Sequence, residues 1–248
     1  PDFVMIKNVD ADGSQWMMLD TKRENGKAIY GNQDSAQSDY TTDILLTSQG
    51  LRFVSNNINV NRSGETYVYM AFAKNVPSNT TLANSFNAAF YAGSNDTDAS
   101  TTQRTISGLG FRPDFLWIKR TDGSEAHFLQ DSIRGSKATI YSHNTAGEYI
   151  EHRGVQNFNE DGYSVAGYNG VNKYREAFIA FGWKAGNTWE SNYEGSIPSV
   201  INANTANGFS IISYRGTGAS SQSVGHGLNS TPELVMIKKV SGTEGWIV

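Results

Sequence analysis

The sequence predicts an all-β protein made of tandem antiparallel β-sandwich domains of jelly-roll or immunoglobulin size, and three observations predict it. The stretch Pro113-Asp114-Phe115-Leu116-Trp117-Ile118-Lys119 recurs as Pro1-Asp2-Phe3-Val4-Met5-Ile6-Lys7 and as Pro232-Glu233-Leu234-Val235-Met236-Ile237-Lys238, at spacings of 112 and 119 residues. Such spacings match a small domain and far exceed a solenoid repeat. The composition, with 25 Gly, 12% aromatic and 18% charged residues, suits strands and turns better than helices. Apolar residues also fall in short runs bounded by turn signals, as in sandwiches.

Taken in order, Phe3 to Ile6 form a continuous apolar run after a proline, the pattern of a buried strand. The turn signal Asp10-Ala11-Asp12-Gly13 leads into Trp16-Met17-Met18-Leu19 and predicts a hairpin. In the second copy Thr121-Asp122-Gly123 leads into His127-Phe128-Leu129 in the same way. Gly50-Leu51-Arg52-Phe53-Val54 returns as Gly162-Tyr163-Ser164-Val165-Ala166. The aromatic run Tyr67 to Phe72 reads as an inner strand, with Ala71-Phe72-Ala73 aligned on Ala180-Phe181-Gly182. Lys74 to Ala83 and Lys184 to Asn204 are linker-like, rich in Asn and Ser with Pro77 and Pro198; the second contains Ile197, Val200 and Ile201 and leaves open an extra strand. Phe86 to Tyr91 and Phe209 to Tyr214 open successive units.

These boundaries divide the chain into a partial repeat at 1–76, a complete one at 77–186 and a partial one at 187–248, although a unit running 1–112 is the other phase the array allows. The chain opens inside a motif without Met and ends in Trp246-Ile247-Val248, which reads as a piece of a longer polypeptide.

The absence of Cys excludes a disulfide framework and thiolate zinc sites. A net charge of −4 without a basic run argues against nucleic-acid binding. No apolar run reaches the roughly 18–20 residues that span a bilayer, and no signal peptide opens the chain, so membrane insertion is not expected.

Phe209-Ser210-Ile211-Ile212-Ser213-Tyr214-Arg215-Gly216-Thr217-Gly218, followed by Gly225-His226-Gly227-Leu228 and the third motif, resembles a repeat of tailed-bacteriophage virion proteins, especially tail-fibre-like ones. Gly110 to Arg120 resembles it too, and the likeness covers essentially the whole chain. It implies a virion structural role for a domain without known molecular function, and it supplies no catalytic residues. Ser107 stands where the third copy has His226.

Asp131 and Arg134 recur as Asp20 and Arg23, a spacing that lets carboxylate and guanidinium meet around a turn. They read as structural pairs, with a ligand-binding pair as the alternative. Lys7, Lys119 and Lys238 read as solvated strand tips. Asn95-Asp96-Thr97-Asp98 carries alternating oxygen ligands of the kind calcium uses, but calcium takes about six to eight oxygens and the matching third-copy loop has no acidic cluster, so it reads as a surface loop. His127, His143, His152 and His226 lack metal spacing. No nucleophile elbow is present, and Glu148 with Glu151 is the carboxylate pair a glycosidase reading would use. Tyr149, Tyr168, Tyr174, Trp189 and Tyr193 lie in polar, turn-rich surroundings, where aromatic rings stack on sugars or cover core edges.

The expectation is therefore a non-enzymatic, cofactor-free segment of a phage fibre located in the virion, serving as spacer and host-surface binder. Its partners would be other virion proteins, further copies of itself with a trimer as candidate symmetry, and a host glycan. A carbohydrate-binding module and a glycan depolymerase are the alternatives.

Overall fold

A computed structural model describes residues 1–73, 85–95 and 100–248. The expected linker at Lys74 to Ala83 lies outside these residues, as do Asp96, Thr97 and Asp98 of the loop considered for calcium. The chain is all-β, of β-sandwich type, with several antiparallel sheets.

The first repeat supplies β1 (Phe3–Asn8), β2 (Met17–Asp20), β3 (Lys27–Tyr30), β4 (Ser38–Asp39), β5 (Ile44–Thr47), β6 (Gly50–Phe53) and β7 (Tyr67–Phe72). Its main sheet has the order β4-β3-β2-β1-β7, and β5–β6 form a separate hairpin. The predicted hairpin is β1–β2, with Val4 opposite Leu19.

The second repeat supplies β8 (Phe86–Ala92), β9 (Arg104–Ser107), β10 (Phe115–Arg120), β11 (His127–Asp131), β12 (Gly135–Ile140), β13 (Tyr149–Ile150), β14 (Val155–Asn159), β15 (Gly162–Val165), a one-turn helix α1 (Asn169–Asn172) and β16 (Ala177–Trp183). A six-stranded sheet, β13-β12-β11-β10-β16-β8, faces a three-stranded sheet, β14-β15-β9.

Beyond it, β17 (Glu190–Asn192), β18 (Ser199–Asn204) and β19 (Phe209–Tyr214) form a further sheet. The question left open over Lys184 to Asn204 is thus answered by two strands. In the third motif only Ile237 and Ile247 bridge, reproducing the Ile118–Phe128 pairing of the second copy. In the first two copies the motif strand has a partner on each side.

The continuous apolar runs follow from burial on both faces. Side chains alternate along a strand, and β1 sends Val4 and Ile6 into a core closed by Ile44, Leu46 and Val60. In β10, Leu116 and Ile118 enter the matching core of the second repeat with Ile106, Tyr163 and Val165. The opposite faces meet each other, so that Phe3 and Met5 share one core with Trp117, Ile179, Phe181 and Trp183. Phe3 lies 4.7 Å from Phe181 and 5.6 Å from Phe86, centroid to centroid. Phe209, Met236 and Trp246 of the third repeat pack against this same core.

Two expectations are corrected. The aromatic run Tyr67–Phe72 is an edge strand, because no described strand pairs with the outer side of β7; its counterpart β16 is inner, between β10 and β8. Phe3 pairs with Phe72 and Phe115 with Trp183, so Phe72 corresponds to Trp183 and the expected alignment was displaced by two residues. An even displacement keeps every side chain on its face, which is why the apolar pattern did not expose it.

Candidate functional site

The recurring acid of the motif marks the site. Asp114 follows the proline that opens the motif and is fixed where β10 begins: its N–H donates to the Trp183 carbonyl at 2.8 Å, and its carbonyl accepts from Ser132 N–H at 2.8 Å. The first repeat repeats this anchoring with Asp2 N–H on Phe72 and Thr21 N–H on Asp2. The side chain of Asp114 is buried. It accepts from Ala185 N–H at 2.9 Å and from Asn202 Nδ2 at 3.0 Å, with Arg112 Nη1 4.0 Å away. Burial raises its pKa, and the bonds from Ser132, Ala185 and Asn202 hold it back.

Asn202 comes from β18, 88 residues further along the chain, and also donates to Ser132 Oγ at 2.9 Å. It is 2% exposed, and its Oδ1 finds no hydrogen-bond partner among the described residues. Above this floor lies a groove of about 370 Å³ lined by Arg112, Asp114, Ser132, Asn187, Trp189 and Asn202. A second cavity of about 500 Å³ shares Arg112, Asp114 and Asn187 and adds Glu160 and Lys184. Trp189 is 63% exposed. An exposed indole beside polar side chains of both charges can stack on an apolar ring face while the floor takes hydroxyl groups.

Of the five aromatic residues singled out from the sequence, only Trp189 lines this groove. Tyr149, Tyr174 and Tyr193 are exposed elsewhere, with Arg175 stacked 4.9 Å over Tyr174. Tyr168 is half-buried and packed on the second-repeat core, edge-on to Phe128 at 5.5 Å and with Arg153 5.9 Å over its ring. Arg112, Asp114, Asn187 and Asn202 escaped the sequence reading. The acid at Asp2, Asp114 and Glu233 was the one signal that pointed to them.

The remaining candidates have local partners. Asp20–Arg23 and Asp131–Arg134 form ion pairs, both at 2.6 Å. Glu148 bonds Arg134 Nη1 at 3.0 Å, and Glu151 is buried and accepts from Arg153 N–H at 2.9 Å. Lys119 is no solvated tip: it is fully buried, and its Nζ donates to the carbonyl of Arg120 at 2.6 Å. Lys7 and Lys238 likewise bond neighbouring carbonyls. His127 is buried and accepts from Trp117 Nε1 at 2.7 Å, and burial pushes its pKa well down. Among the described residues no cluster of His, Asp or Glu could hold a metal.

Fold and groove together define an all-β protein of β-sandwich type with an aromatic-edged polar surface groove. The chain belongs to the family described as domain of unknown function DUF7483, whose model matches residues 1–76 and 82–248. No curated protein and no solved structure matches it.

Proposed function

We propose that this chain is a non-enzymatic structural segment of a fibre-like phage virion protein, and that its groove contacts a saccharide of the host surface. The observation that carries the binding half is Trp189, a large apolar ring left exposed beside Asn187, Arg112 and the orphaned oxygen of Asn202. Aromatic stacking plus a few convergent polar groups is the physical recipe for sugar recognition. The structural half rests on the repeats packing into shared cores and on the likeness to tail-fibre-like repeats. Multiple copies on a particle would turn a weak contact into avidity.

The experiment is adsorption of the 248-residue protein to purified host-surface polysaccharide, compared with Trp189→Ala. Stacking of about 0.5–1.5 kcal/mol corresponds to a loss of roughly twofold to tenfold, with an unchanged melting temperature. Equal adsorption by both proteins would remove the groove from the reading. Shortening of the polysaccharide chains would replace it with a depolymerase.

A further inference from the structure

The charged groups around the two cavities are unevenly satisfied, and the imbalance points to a ligand class. Arg112, Asp114 and Asn187 line both cavities, Trp189 lines only the first, and Lys184 and Glu160 line only the second. One groove therefore runs from an exposed indole, past a guanidinium, to an ammonium.

The acid on the floor is already supplied with donors. Asp114 accepts from Ala185 N–H through Oδ2 and from Asn202 Nδ2 through Oδ1, and Arg112 stops 4.0 Å short of it. The side chain of Arg112 makes one long hydrogen bond, from Nε to the Phe158 carbonyl at 3.4 Å. Its terminal N–H groups donate to no acceptor among the described residues. The ammonium of half-buried Lys184 also has no ion-pair or hydrogen-bond partner among them. Glu160 is exposed, where water and salt weaken its pull on either cation. Asp114 offsets one of the two positive charges, and the other stays uncompensated inside the groove.

Asn202 makes a second demand. Both of its amide hydrogens are committed, to Asp114 and to Ser132, so its unpartnered Oδ1 can only accept. Gly186 of the second cavity carries no side chain to cover that oxygen, and a Cβ there would come within 2.8 Å of it. A buried acceptor without a donor is costly, and a ligand hydroxyl relieves the cost.

We propose that the groove takes an acidic saccharide. One sugar ring stacks on Trp189, a carboxylate of the same or the adjoining sugar lies between Arg112 and Lys184, and a hydroxyl donates to Asn202 Oδ1. This rests on the saccharide reading above and adds the charge of the ligand to it. The guanidinium fork matches the two carboxylate oxygens, and hydrogen bonds between opposite charges are stronger than neutral ones. A single uncompensated charge suits one carboxylate per bound segment, not a dense run of anions.

The test is adsorption of the 248-residue protein to alginate, polygalacturonate and polysialic acid, each before and after chemical reduction of its carboxyl groups to hydroxyls, with dextran as the neutral polymer. Reduction removes the charge and keeps the sugar rings. At least one acidic polymer is expected to bind and to lose about tenfold or more in affinity on reduction. Its binding should also weaken as salt is raised from about 50 to about 500 mM. Arg112→Gln and Lys184→Gln should each reproduce the loss, Arg112→Lys should restore part of it, and Glu160→Gln should tighten binding by removing a like charge. Melting temperatures control for folding, and the reduced polymers test the charge without altering the protein. Equal binding of reduced and unreduced polymers, with Trp189→Ala weakening both, would overturn the acidic class and leave the saccharide reading standing. Failure of every acidic and neutral polymer to bind would remove both. Loss of binding in Glu160→Gln, with Arg112→Gln and Lys184→Gln unaffected, would overturn the proposal in favour of a ligand held by the acid.

Discussion

Arg23 holds Asp20 at both carboxylate oxygens: its Nε donates to Oδ2 at 2.7 Å, and its main-chain N–H donates to Oδ1 at 2.9 Å. The guanidinium also reaches Gln37 Oε1 at 3.2 Å, the residue whose N–H contacts the second repeat. Asp131 and Arg134 reproduce the arrangement, with Nε on Oδ2 at 2.6 Å and N–H on Oδ1 at 2.9 Å. One local pair thus closes a strand end and braces the segment that meets the next repeat.

Asp20→Ala is expected to lower stability by about 3–5 kcal/mol, because the Arg23 charge stays buried without its partner. The side chains there are 2% and 0% exposed, against 13% and 8% for Arg134 and Asp131, so Asp131→Ala should cost less. Urea denaturation of the two variants checks the order. Polysaccharide adsorption should not change in either once the protein is folded.

Burial lowers the pKa of Lys119 from 10.5 to about 8, with Glu125 and Asp34 opposing the shift. Below pH 8 the folded and unfolded chains both carry this proton, and the buried charge costs stability. Between about pH 8 and 10.5 the unfolded chain keeps a proton that the folded chain has shed, so stability should rise with pH across that window. Lys119→Met should flatten this component, as read from denaturation midpoints at pH 7.5, 9 and 10.

Phe3 touches four aromatic rings, those of Phe72, Phe86, Phe181 and Trp183. Phe3→Ala should cost about 3–5 kcal/mol. Differential scanning calorimetry should show one transition moving down for both repeats together, because the residue serves a core they share. Two separate transitions, with only one displaced, would contradict that sharing.

Residues 85–186 expressed alone would bare Phe115, Trp117, Phe181 and Trp183, which the first and third repeats otherwise cover. A contiguous apolar surface of this kind promotes association. The fragment is expected to self-associate in sedimentation at micromolar concentration, and a folded monomer would show that the shared core is dispensable.

The strands that open each unit, the β1–β2 and β10–β11 hairpins and the Asp–Arg pairs were legible because each rests on near neighbours in sequence. A proline, a turn signal and a three-residue spacing act over a few ångströms, and the repeat presented them twice. Even the run Phe3-Val4-Met5-Ile6 announced burial on both faces, since no residue in it suits water.

What covers those two faces was not legible. Val4 and Ile6 meet the first repeat's own hairpin, while Phe3 and Met5 meet another repeat more than 80 residues away; apolar character alone carries no address, because hydrophobic burial is non-directional. The groove has the same origin. Asp114 and Asn202 come together only because β18 lies against the end of β10, and that placement leaves Trp189 exposed while Tyr168, equally aromatic and equally polar in its surroundings, is packed away. The sequence by itself determined the motif strands, the hairpins that follow them and their repetition. Which face meets which neighbour, and so where a ligand could sit, was decided by long-range packing that no local pattern encodes.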